Sequence, residues 1–235
     1  MFNDLTARYL KPRINLAAAK TRNGLDVLLY KHDDAFGISI GGKELMHSKV
    51  SASESYLGKI GVEHLDGRMQ SRVLVGGLGL GFTLRSVLEN VSQLVKIDLV
   101  EIIPEIINWN KTFLHDLNGY SLNDSRVNTQ CSDVVDLISK SDPRSFDGII
   151  LDLDNGPVAM VDKSNTNLYS DIGIKNIKRV LKNNGRLSVW SAASDLNFEK
   201  NQYLMKNFLK IQTNFLLLMP LTVDLVAFLL LRRII

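Results

Sequence analysis

From Arg72 onward, short apolar runs alternate with stretches of helical period. RVLVG (72–76), VKIDLV (95–100), RVNTQ (126–130), DGIILD (147–152) and GRLSVWS (185–191) are the length of buried strands. Between them lie LGFTLRSVLENV, PEIINWNKTFLHD, DVVDLISKS and SDIGIKNIKRVLKN, whose apolar residues recur at helical spacing. Strand and helix in turn predict an α/β fold with a mostly parallel, doubly wound sheet. The last of these helices is expected to end at Asn183, Asn184 and Gly185, residues typical of a helix C-terminus.

Two further segments complete the pattern. IQTNFLLLM and VDLVAFLLLRR form a nearly continuous apolar stretch from Phe215 to Leu231. A membrane span there would carry Pro220 and Asp224 near its middle, and the aspartate alone costs about 3 kcal/mol on insertion. The stretch therefore predicts a pair of strands joined by a turn at Pro220 to Thr222, with the proline outside the ladder. That brings the sheet to seven strands, the last antiparallel to the rest. Residues 1–65 differ: LDVLLYKH and GISIGGKELMHS, separated by Asn-Gly, Asp-Asp and Gly-Gly turn signals, predict a small β-rich N-terminal region. SESYLGKIGVEHL then delivers the chain into an α/β domain spanning residues 66–235.

Composition narrows the class. The 235 residues include 28 basic and 25 acidic side chains, and the basic ones are scattered, so no nucleic-acid-binding stripe is expected. A single cysteine, Cys131, excludes an intrachain disulfide and a multi-cysteine zinc site, which suits a reducing compartment. The opening MFNDLTARYLKPRIN is broken by charge and proline, so neither secretion nor a membrane partner is expected and the predicted location is cytoplasmic. His47, His64 and His115 share no ligand spacing, so no metal is expected. Ser191 sits in VWSAAS without a nucleophile elbow, which leaves a hydrolase unsupported.

Candidate chemistry lies at the strand ends. Gly76, Gly77, Gly79 and Gly81 crowd the turn from the RVLVG strand into the next helix, where backbone without Cβ atoms can approach a ligand or pack tightly. Their spacing fits neither GxGxxG nor a P-loop. Glu101 ends the next strand, where nucleotide-binding α/β folds place an acid for ribose hydroxyls. Asp133 follows the third strand, as a ligand group or as the N-cap of VVDLI, and Asp152 ends the fourth. Ligands bind open α/β sheets outside the carboxyl ends of their strands, so these residues predict a nucleoside site. Trp109 is either core or an adenine wall.

Four stretches carry a more specific likeness: VLVGGLGLGFTLRSVLE, IDLVEIIPEIINWNK, FDGIILDLDNGP and NLYSDIGIKNIKRVLKNNGRLSVWSAA. From about Gly42 to Arg233 the chain resembles the spermidine synthase (aminopropyltransferase) family of the class I S-adenosylmethionine-dependent methyltransferase fold. The resemblance implies a methyltransferase-like Rossmann domain and a transferase of polyamine biosynthesis. Its donor would be decarboxylated S-adenosylmethionine or S-adenosylmethionine itself, and its acceptor a small-molecule amine. It also implies a homodimer. Gly76, Gly77 and Gly79 would line the methionine and ribose end, Glu101 would hold the ribose hydroxyls and Asp133 would face the adenine amino group. Asp152 would be the catalytic-loop carboxylate, Asp154 would add to an acidic rim, and the loop preceding Tyr169 would cover the pocket.

The likeness has departures. The family's glycine loop reads GGGDGG, whereas GGLGLG here lacks the aspartate that grips the donor's amine. Asn155 replaces a second catalytic-loop aspartate, and SASESY leaves Tyr56 with only Glu54 nearby. A methyltransferase of unknown acceptor and a non-catalytic nucleoside-binding relative are the alternative expectations.

Overall fold

A computed structural model describes residues 12–67, 69–153, 168, 170–191, 213–220 and 225–232, the last two segments by backbone alone. Strands β1 (Ile14–Lys20), β2 (Asp26–His32), β3 (Ala35–Ile40) and β4 (Lys43–His47) pair in sequence order as an antiparallel four-stranded sheet. Alternation along β2 and β3 buries Val27, Leu29, Ile38 and Ile40, which join the core beneath one face of the larger sheet. Tyr30 lies across Gly37 on its partner strand, and its hydroxyl bonds Glu44. Helix α1 (Ala52–Val62) follows and packs on the larger sheet.

That sheet has seven strands. β5 (Ser71–Gly76) is central, with β6 (Val95–Glu101) and β7 (Val127–Cys131) on one side and β8 (Phe146–Leu151) and β9 (Leu181–Ser191) on the other. All five run parallel. β10 (Thr213–Pro220) and β11 (Leu225–Arg232) extend it, with β11 inserted between β9 and β10 and antiparallel to both. The doubly wound seven-stranded arrangement and its single reversed strand are thus as expected. Val73 and Val75 of β5 enter the core against helices α1, α2 (Phe82–Glu89) and α3 (Pro104–Thr112). Leu74 points into the opposite core, with α4 (Val134–Lys140) and α5 (Asp171–Val180). Cover on both faces explains why β5 and β8 are mostly apolar, with Val73, Leu74 and Val75 and Ile149, Ile150 and Leu151 all buried.

Two boundaries differ from expectation. Helix α5 ends at Val180, before the Asn-Asn-Gly signal, because Leu181 is extended (φ −77°, ψ 130°), buried and paired with Phe146. The pairing then jumps to Gly148 and Arg186, so residues 182–185 bulge, with Asn184 in the left-handed region at φ 63°. Asn183, Asn184 and Gly185 are therefore not the helix C-terminus expected of them: they lie inside β9, where Asn184 takes the left-handed conformation of the bulge. Pro220 also lies within the ladder, as the last residue of β10 opposite Leu225. β10 is an edge strand, where a missing N–H is tolerated. Among the described residues no helix is long and apolar enough to cross a membrane.

Candidate active site

Because β5 to β8 are parallel, Gly76, Glu101, the residues after Cys131, and Asp152 reach the same edge of the sheet. Backbone hydrogen bonds join them there: the Gly77 amide donates to the Val100 carbonyl at 2.8 Å, and the Asp152 amide donates to the Gly76 carbonyl at 2.8 Å. Gly77 has φ +92°, and a Cβ on it would lie 2.0 Å from the Asp152 carbonyl oxygen. Glycine is therefore required where the first and fourth strand ends meet. Gly79 packs against the Met46 thioether, which brings β4 of the small sheet onto the loop. Buried Asn110 steadies the turn from α3. Its amide nitrogen donates to the Gly79 carbonyl at 2.8 Å, while its Oδ1 accepts from Asn118 at 2.8 Å.

Glu101 is buried, and both its carboxylate oxygens accept backbone N–H groups. Oε2 takes the Leu78 amide at 3.0 Å and Oε1 the Ile103 amide at 2.9 Å. Burial pushes its carboxyl above the ordinary range, and these amides pull it partly back.

Asp152 stands across the glycine turn. Its Oδ2 accepts from the Thr83 hydroxyl at 2.5 Å, and Thr83 Oγ1 also lies 3.3 Å from the Glu54 carbonyl oxygen. Removal from water, then repulsion from Glu54 and to a lesser degree Glu101, pushes the Asp152 carboxyl to about 7, against the pull of the Thr83 bond. Glu54 is itself raised by burial, although the Ser53 hydroxyl donates to it at 2.5 Å. Helix α1 brings Glu54 here because Gly58 lets it lie against α2: a Cβ at Gly58 would meet the Thr83 carbonyl oxygen at 2.6 Å. Ser86 on α2 ties the two helices by donating to the Ser55 carbonyl at 2.5 Å.

Asp133 caps α4, its Oδ1 accepting from the Val135 amide at 2.8 Å, and Arg22 comes within 4.0 Å of its other oxygen. Trp109 is core, 3% exposed. Asp154 and Tyr169 lie outside the described residues. Sequence reasoning missed Thr83, Asn110 and Met46, which carry no signal apart from contacts made across the fold. Among the described residues no group of three histidine, cysteine or acidic side chains is placed to hold a metal ion. The arrangement offers hydroxyl-binding acceptors at Glu101, negative charge that attracts cations, and at Asp152 a base that titrates near neutrality.

A polyamine aminopropyltransferase of Prochlorococcus marinus subsp. pastoris is 32% identical over 142 residues, 60% of this chain and 48% of the relative. A second, from another Prochlorococcus marinus strain, is 34% identical over 126 residues, covering 54% and 42%. The chain thus spans less than half the length of these curated relatives. Among solved structures, spermidine synthase from Thermotoga maritima superposes with a TM-score of 0.73 at 17% identity, covering 94% of this chain and 73% of that one. A probable spermidine synthase from Corynebacterium glutamicum gives 0.65 at 18%, covering 92% and 79%. At such identities these two structures speak for the fold. The Spermine/spermidine synthase domain matches residues 52–227, from the first residue of α1 into β11, so its span includes Glu54, the glycine turn, Glu101, Asp133 and Asp152. By that match the chain belongs to the spermine/spermidine synthase family.

Proposed function

We propose that this chain is an aminopropyltransferase, moving the aminopropyl group of decarboxylated S-adenosylmethionine to an amine of a polyamine. The observation that carries this reading is the pair Asp152 and Glu54 beside the glycine turn, with Asp152 pushed to about 7. An amine substrate is a cation and must lose a proton before its nitrogen can attack. A carboxylate that titrates near neutrality both attracts the ammonium form and accepts its proton. Glu101 binds the ribose hydroxyls, and Asp133, with Arg22 within 4.0 Å of its Oδ2, faces the adenine amino group. Gly76, Gly77 and Gly79 let the backbone approach the nucleoside.

The reaction then needs little from the protein beyond position. As the amine nitrogen bonds the carbon next to the sulfonium, the carbon–sulfur bond breaks, its electron pair stays on sulfur, and Asp152 takes the amine proton. The positive charge of the sulfonium is lost as neutral methylthioadenosine leaves, and an orientation close to in-line supplies much of the acceleration. The test is to incubate the protein with decarboxylated S-adenosylmethionine and a panel of linear diamines, and to separate the nucleosides by chromatography. Methylthioadenosine formed with the elongated amine, and absent with Asp152→Asn, is the expected outcome. S-adenosylhomocysteine formed from S-adenosylmethionine would replace the reading with methyl transfer.

A further inference from the structure

Thr83 belongs to none of the glycine-loop or strand-end positions, yet it contacts the carboxylate that the proposed reaction depends on. It is the second residue of α2, 1% exposed, and its hydroxyl has a single proton to give. Two acceptors compete for that proton: Asp152 Oδ2 at 2.5 Å and the Glu54 carbonyl at 3.3 Å. The nearer acceptor is also the charged one, so the hydroxyl bonds the carboxylate. A bond to one oxygen restricts rotation of the carboxyl group and directs the other.

We infer that Thr83 is a positioning residue for Asp152, holding Oδ2 so that Oδ1 is presented to the reacting amine, and that its bond favours the ionised form of the carboxylate. The chemical consequence rests on the aminopropyl transfer proposed above, whereas the hydrogen bond and its effect on Asp152 do not. Every charged group acting on Asp152 from the described elements is acidic: Glu54 on α1 and Glu101 at the end of β6. Both favour the protonated carboxyl, as burial does. The Thr83 hydroxyl opposes them, and without it the base would be ionised only at higher pH.

The experiment reads Asp152 directly. Protein labelled with carbon-13 at the aspartate carboxyl is titrated by NMR without ligand, the Asp152 resonance being the one absent from Asp152→Asn. Thr83→Val removes the hydroxyl at nearly constant shape, and its Asp152 midpoint is expected to rise by about one pH unit, the effect of losing a hydrogen bond to a charged group. Thr83→Ser, which restores the donor, is expected to return to the wild-type midpoint. Thr83→Ala removes the same donor with less bulk and gives the same comparison if the valine variant does not fold. An unchanged midpoint in the hydroxyl-free variant would overturn the inference. In parallel, the acid limb of the pH–rate profile should move upward by the same amount. A uniform loss of rate at every pH, with the midpoint unmoved, would instead mark a purely structural threonine. If the wild-type protein shows no aminopropyl transfer, that reading fails while the titration still decides the role of Thr83.

Discussion

Replacing Asp152 by asparagine should stabilise the folded protein above neutral pH while removing its turnover. The ordinary aspartate value of 3.8 rises to about 7 in the fold. At about 1.4 kcal/mol per pH unit, that gap corresponds to at most about 4–5 kcal/mol, an upper bound because water still reaches part of the side chain. The sign follows from proton uptake. Between pH 3.8 and about 7 the folded protein holds a proton at Asp152 that the unfolded chain has already released, so stability falls as pH rises through that window and levels off above it. An amide in place of the carboxylate can accept from Thr83, carries no charge against Glu54 and Glu101, and does not titrate. Urea unfolding at about pH 5 and about pH 8 measures the difference. The wild type should lose stability between the two, and the variant should lose less, becoming the more stable protein at the higher pH. Parallel curves for the two proteins would refute the argument that Asp152 is held against its own charge.

Glu101→Gln leaves one acceptor for two backbone amides and turns an N–H group towards one of them. It should weaken binding of methylthioadenosine by tenfold or more, about 1–3 kcal/mol, read by calorimetric titration; unchanged affinity would remove Glu101 from the nucleoside site. Gly77→Ala forces a Cβ to within 2.0 Å of the Asp152 carbonyl at φ +92° and should cost more than the usual 1–3 kcal/mol of backbone strain, visible as a lowered urea midpoint. Asn110→Ala deprives the Gly79 carbonyl of a donor and Asn118 of an acceptor, which should cost about 1–3 kcal/mol and speed amide exchange in residues 77–81.

The strands and helices of the α/β domain were legible because a strand covered on both faces is mostly apolar, and a helix covered on one face must repeat with its own period. RVLVG, VKIDLV and DGIILD became β5, β6 and β8 within a residue or two. Parallel strands also explain why Glu101, Asp133 and Asp152 could be grouped in advance: consecutive strand ends in such a sheet share one edge. The glycine turn was legible for a local reason, since positive φ at Gly77, Gly79 and Gly81 is a demand that only a few residue types meet. The Asn-Asn-Gly signal at 183–185 was read as the end of a helix and instead lies in a strand bulge, because whether Leu181 continues a helix or starts a strand depends on Phe146, which it meets only in the folded chain.

What the tertiary structure alone decided is the chemical character of the site. Asp152 reads in the sequence as one more acid at a strand end. Its rise to about 7 comes from desolvation by the assembled fold and from Glu54, carried in by a helix that reaches it through contact with α2. The restraint on that rise comes from Thr83, 69 residues away along the chain. Hydrophobic period and glycine demand are properties of neighbouring residues and survive in a linear text. Desolvation and charge repulsion depend on distances between residues far apart in that text, and those distances exist only once the sheet, α1 and α2 have packed.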